Sequence, residues 1–153
     1  ISGEKEAIEE AMKLAKDAGA KRAVPLTVSA PSHCKLMTEA STKLSEFILA
    51  EKMEMKNPQI PFVNNAEAAF LNDAETIKAS LIKQLSNPVL WEDSIKTIVN
   101  SGINIFIETG PGKVLSGLIK RISPGAVIFN VEDMESLEKT LAGLKDIGLS
   151  NSR

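Results

Sequence analysis

Apolar side chains recur at helical spacing over residues 4–18. Ala7, Ile8, Ala11, Met12, Leu14 and Ala15 form one stripe behind an acidic first turn, and Gly19 supplies a stop. The run Ala23-Val24-Pro25-Leu26-Thr27-Val28-Ser29 then predicts a strand over 21–29. Pro31 suits the first turn of the next helix, where its missing N–H has no intrahelical partner to lose. That helix is predicted to reach about residue 51, with Leu36, Ala40, Leu44, Phe47 and Ile48 on one face. A polar connection over 52–58 leads to a short strand over 60–64 that tolerates Pro61 near its start or at an edge. Asp73 is placed to cap a helix over 74–85 with Ile77, Leu81, Ile82 and Leu85 inward, and Ser86-Asn87-Pro88 breaks it. A further helix over 89–101 stops at Gly102. Ile103-Asn104-Ile105-Phe106-Ile107-Glu108 reads as the clearest buried strand in the chain. Gly110-Pro111-Gly112 turns into a helix over 113–122, another strand follows over 126–131, and Asp133 caps a last helix to about 145.

Helices alternating with short apolar strands predict an α/β fold, a mostly parallel sheet covered by helices. The trailing residues 148–153 are expected to fray. At 153 residues, 43% apolar and 25% charged, the chain can bury the core of one ordinary soluble domain. Its apolar runs are too short to span a bilayer, so no membrane partner is expected. A net charge of −2 argues against a nucleic-acid partner. A single cysteine excludes an internal disulfide and suits a reducing, cytoplasmic setting. Ile1-Ser2-Gly3 reads as the tail of a strand entering a turn, with no initiator Met or targeting segment, so the chain is expected to open in the middle of a fold.

The candidate chemistry centres on His33, the only histidine, between the predicted strand over 21–29 and the helix after it. Strand ends that lead into loops carry the chemistry of α/β folds, and histidine is suited to proton transfer near neutral pH. A lone histidine is also an ordinary surface or core residue. Cys34 adjoins it, but neighbours on an extended chain point to opposite faces, which argues against a Cys–His pair. The Gly110-Pro111-Gly112 turn lacks the spacing of a nucleotide-phosphate loop. One histidine and one cysteine, without carboxylates at ligand spacing, give no reason to expect a metal.

Four segments in order carry a resemblance. They are Ile1-Ser2-Gly3 with its acidic helix, Gly19-Ala20-Lys21-Arg22-Ala23 through Pro31-Ser32-His33-Cys34, Leu85-Ser86-Asn87-Pro88-Val89-Leu90-Trp91, and Glu108-Thr109-Gly110-Pro111-Gly112-Lys113-Val114-Leu115. Together they resemble the malonyl-CoA:acyl-carrier-protein transacylases over residues 1 to about 144. The resemblance implies that residues 1–29 are the remnant of a ferredoxin-like small subdomain with its return strand. Residues 30–153 would be the C-terminal part of an α/β-hydrolase-like large subdomain. The family's nucleophile lies on a Gly-His-Ser-x-Gly elbow, and no Gly-x-Ser-x-Gly occurs here. None of Arg22, Arg121 and Arg153 matches the family arginine that binds the malonyl carboxylate. The expectation is therefore the C-terminal half of the enzyme, whose N-terminal half is a missing partner.

By the same resemblance, the parent enzyme moves malonyl from coenzyme A to the phosphopantetheine thiol of acyl carrier protein in fatty-acid biosynthesis. The route is a Ser-malonyl intermediate with His33 as general base. The main-chain carbonyl of Gln84 would orient His33, against the alternative of a solvent-facing helix glutamine. Ser32 stands where related synthase domains sort extender units, but alone it leaves malonyl and methyl-branched units open. Lys21, Arg22, Lys120 and Arg121 would meet coenzyme A phosphates or the acidic carrier protein, against ordinary surface cations. No cofactor is implied beyond the coenzyme A thioester as substrate. The other reading is a truncated, non-catalytic acyltransferase-like module that binds carrier protein or another chain. The chain alone is expected neither to become acylated nor to transfer malonyl.

Overall fold

The computed structural model describes residues 1–50 and 54–149. The chain divides into two compact units, Ile1–Trp91 and Glu92–Arg153. The first opens with helix α1 (Lys5–Asp17). Its stop is a Schellman motif: Gly19 takes φ 91°, its N–H donates to the Lys16 carbonyl, and the Ala20 N–H donates to the Ala15 carbonyl.

The strand predicted over 21–29 does not form. The segment makes no ladder with any described residue, and Val24, Leu26 and Val28 are 53%, 79% and 73% exposed. Alternating apolar residues prepare one face, but a strand exists only through a neighbour's N–H and C=O groups. Instead the Val28 N–H closes a tight turn on the Leu26 carbonyl at 2.9 Å.

The next helix begins later than its sequence suggests. Pro31 stays outside, a 3-10 turn over Lys35–Met37 opens on the Cys34 carbonyl, and α2 runs over Thr38–Ala50. The expected end at Glu51 lies outside the described residues. Of the predicted apolar face, Ile48 is buried while Leu36 and Phe47 stay about half exposed. The strand expected over 60–64 shrinks to β1 (Phe62–Val63). It pairs antiparallel with β2 (Phe70–Leu71), a hairpin the pattern did not announce. Asp73 caps α3 (Ala74–Lys83) as expected, its carboxylate accepting from the Thr76 N–H at 2.9 Å. Helices α2 and α3 pack together, pinned where the Ser41 hydroxyl donates to the Ile82 carbonyl at 2.8 Å.

Helix α4 (Trp91–Asn100) leads into a βαβ arrangement. Strands β3 (Ile105–Thr109) and β4 (Val127–Val131) run parallel, in register from Ile105 opposite Val127 to Thr109 opposite Val131. Helix α5 (Val114–Ile122) connects them, α6 (Met134–Asp146) packs on β4, and Ile95 and Ile119 are buried. The parallel sheet among the described residues is therefore this pair, and the other pairing is antiparallel. Contrary to expectation, β3 is not deeply buried: Ile107 is 46% exposed. With β4 as its one neighbour among the described residues, part of its surface stays uncovered. Helix α6 ends in a second Schellman motif: Gly148 N–H donates to Lys145 and Leu149 N–H to Leu144. Residues 148 and 149 are thus tied to the helix, and 150–153 lie outside the described residues.

Candidate active site

The last carbonyls of a helix lack intrahelical donors and must find partners elsewhere. At the end of α3 they do so one after another. Ile82 accepts from the Ser41 hydroxyl, Lys83 from the Asn87 amide at 2.7 Å, and Leu85 from the His33 backbone N–H at 3.1 Å. Between them, the Gln84 carbonyl oxygen lies 2.9 Å from His33 Nδ1. His33 reaches this pose with φ 63°, in the left-handed region that non-glycine residues rarely adopt. Backbone and ring of one residue are thereby fixed to two consecutive carbonyls.

A carbonyl can only accept, so the contact requires the hydrogen on Nδ1. In the neutral ring Nε2 then carries the lone pair and is the nitrogen able to take a proton. The ring is half-buried at the end of a short turn after Pro31. Cys34, its neighbour, turns away: its thiol donates to the Pro31 carbonyl at 3.1 Å.

Of the residues singled out from sequence, the structure brings His33 and Gln84 together. Ser32 is exposed beside them, its N–H donating to Ala30. Lys21 and Arg22 are exposed in the first unit, and Lys120 and Arg121 are exposed in the last turn of α5 in the second. Sequence reasoning passed over Asn64, whose side chain is 0% exposed and hydrogen-bonded on both its oxygen and its nitrogen. The available signal was an amide at the end of an apolar strand, a residue that is buried only when paired.

No family model matches the chain. Among curated proteins it is 41% identical to the malonyl CoA-acyl carrier protein transacylase of Bacillus subtilis over 95% of its own length. It is 48% identical to that of Salmonella typhimurium over 80%. Among solved structures it superposes on an acyl-carrier-protein S-malonyltransferase from Burkholderia pseudomallei with a TM-score of 0.85 and 44% identity over 92% of the chain. A type II PKS acyl-carrier protein in complex with its malonyl-transacylase matches with a TM-score of 0.86 and 45% identity. Over most of its own length the chain is similar to a C-terminal part of the malonyl CoA-acyl carrier protein transacylases. It spans 45% of the Bacillus subtilis relative and 39% of the Salmonella typhimurium one.

Within this transacylase-like chain, the Gly-Pro-Gly-Lys-Val-Leu turn is held by carboxylates rather than open to one. Glu108 accepts from the N–H groups of Leu115 and Ser116, from the Ser116 hydroxyl and from the Asn130 amide, while Glu132 accepts from the Gly112 N–H. The Ser116 hydroxyl, more than the backbone donors, holds the Glu108 carboxyl below its ordinary value. The first amides of α5 are therefore occupied, which disfavours a phosphate there. Among the described residues no cluster of three metal-ligating side chains occurs, and no helix is long and apolar enough to cross a membrane.

Proposed function

We propose that the protein containing this chain transfers malonyl from coenzyme A to the phosphopantetheine thiol of acyl carrier protein in fatty-acid biosynthesis, with His33 as general base. In the first half-reaction a serine hydroxyl, on the family's Gly-His-Ser-x-Gly elbow outside this chain, attacks the malonyl thioester. His33 Nε2 accepts the serine proton. Collapse of the tetrahedral intermediate breaks the C–S bond and leaves a malonyl ester on serine, and the proton passes from His33 to the departing coenzyme A thiolate. The second half-reaction reverses these roles: His33 takes the proton of the carrier's thiol, sulfur attacks the ester, and serine recovers its proton.

The observation that carries this reading is the contact of His33 Nδ1 with the Gln84 carbonyl at 2.9 Å. It sets the tautomer a base needs without a carboxylate, and it lies in a chain whose relatives bear the transacylase name. The reading extends to a small-subdomain remnant over 1–29 and a large subdomain from 30 onward. Ser32 would line the acyl site, and the exposed Lys21, Arg22, Lys120 and Arg121 would meet coenzyme A phosphates or the carrier. No cofactor beyond the thioester substrate is required, and the setting is cytoplasmic.

The test is malonyl transfer by the complete enzyme carrying His33→Ala or Gln84→Ala. Removing the base should cost about 10²- to 10⁴-fold in kcat. Gln84→Ala keeps the main-chain acceptor and should cost far less. Near-normal transfer by the His33→Ala enzyme would exclude the assignment.

A further inference from the structure

We propose that Asn64 is a positioning residue for His33, acting through the end of α3; this rests on the reading of His33 as the base. Asn64 is the largest fully buried side chain among the described residues. Its amide nitrogen donates to Ser80 Oγ at 2.9 Å and to Glu67 Oε2 at 2.8 Å, and its oxygen accepts from the Ala69 N–H at 3.1 Å. The backbone N–H of Asn64 adds a bond to the Ala69 carbonyl, closing the β1–β2 turn in which Ala68 takes φ 53°. One side chain thus rigidifies a hairpin turn and fastens it to α3.

The attachment points matter for what lies between them. Ser80 is one turn before Gln84, and the Gln84 N–H donates to the Ser80 carbonyl at 2.9 Å. Lys83, the residue directly before Gln84, is ion-paired to the same Glu67 that Asn64 holds. On the far side, the Leu90 N–H donates to the Asn65 carbonyl at 2.7 Å. The hairpin turn therefore grips the chain before and after the Gln84 and Leu85 carbonyls, the two acceptors that fix the ring and backbone of His33. Helix ends fray unless anchored. Without these anchors the last turn of α3 can loosen, and the acceptor for Nδ1 moves with it. Groups that orient a histidine's partner act on function without touching the substrate.

The experiment uses the single histidine of this chain. Nitrogen-15 labelling of histidine gives a spectrum that reports His33 alone, read near pH 8 in wild type, Asn64→Ala, Ser80→Ala and an Ile119→Val control in the other unit. Wild type and control should show the ring in the Nδ1–H form. Asn64→Ala and Ser80→Ala should lose that dominance and show a mixture weighted to Nε2–H. In the complete enzyme the same two changes should lower kcat about tenfold with KM changed less than about twofold, within the range carried by groups that orient a functional residue's partner. If Asn64→Ala does not fold, Ser80→Ala, which removes one hydroxyl, decides the matter. A wild-type ring without the Nδ1–H form would overturn the His33–Gln84 reading itself. A wild-type ring in that form, unchanged in the folded variants, would overturn the role of Asn64 alone.

Discussion

Replacing Gly143 with alanine sets two effects of known sign against each other. Gly143 lies within α6, and a Cβ at this position would sit 2.5 Å from Phe129 Cε1, 3.1 Å from Cζ and 3.5 Å from Cδ1. Alanine favours the helix over glycine by about 0.8–1.0 kcal/mol. Against this, 2.5 Å is far inside van der Waals contact. The Phe129 ring must leave its position on β4, and overpacking of this kind costs about 1–3 kcal/mol. The balance is a destabilisation of about 1 kcal/mol, or a fall in Tm of about 2–4 °C for a chain of this size. The same packing holds β4, whose Val131 carbonyl accepts from Gly110 and whose following residue Glu132 accepts from Gly112, so the Gly110-Pro111-Gly112 turn loosens with it. Circular-dichroism melts and urea titrations of Gly143→Ala in the wild-type and Phe129→Leu backgrounds measure the balance. With the ring gone, propensity alone remains and alanine should stabilise by about 1 kcal/mol. The change of sign is the diagnostic outcome. A higher Tm for Gly143→Ala in the wild-type background, or equal effects in both, would refute the steric argument.

Two further outcomes follow from charge. Glu108 is held below its ordinary 4.5, first by the Ser116 hydroxyl and then by the backbone and Asn130 donors, so its contribution is present above that value and is lost as pH falls through its folded pKa. Glu108→Gln should therefore lower Tm at pH 7, with the difference shrinking as the solution is acidified below 4.5, and a pH-independent difference would contradict the network. Changing Lys21 and Arg22 together to alanine in the complete enzyme should raise KM for carrier protein, less so at high salt. Kinetics with wild-type salt dependence would remove the pair from docking.

The helices were the legible part of this sequence because their signals are local. Asp73 and Asp133 announced their caps, and Gly19 its Schellman stop, within a few residues of each helix end. Strands were less legible, since each depends on a neighbour distant in sequence. The stretch with Val24, Leu26 and Val28 has the alternation of a strand and finds no partner among the described residues. Phe70-Leu71 has almost no pattern, yet pairs with Phe62-Val63 because the turn around Asn64 brings it there. The pairing of His33 with Gln84 is separated by 51 residues, a relation that no periodicity carries. Motif resemblance supplied it. Asn64 and the Glu108–Ser116–Asn130 cluster were missed for the same reason: their partners meet only after the chain has folded.

His33 itself shows why composition cannot weigh such a site. A left-handed backbone costs a non-glycine residue about 1–2 kcal/mol, and glycine would adopt φ 63° freely. The residue's two hydrogen bonds, from its N–H to Leu85 and its ring to Gln84, offset that cost at about 0.5–1.5 kcal/mol each. Of these, the backbone bond would survive in a glycine variant, so the imidazole adds only about one neutral bond's worth of stability at a strained position. Stability alone gives little reason for histidine here. The imidazole's distinct contribution is a nitrogen of fixed tautomer at the end of an anchored helix. Backbone strain at a residue able to move a proton, held by the two carbonyls that orient it, supports the proposed role of His33 as the base.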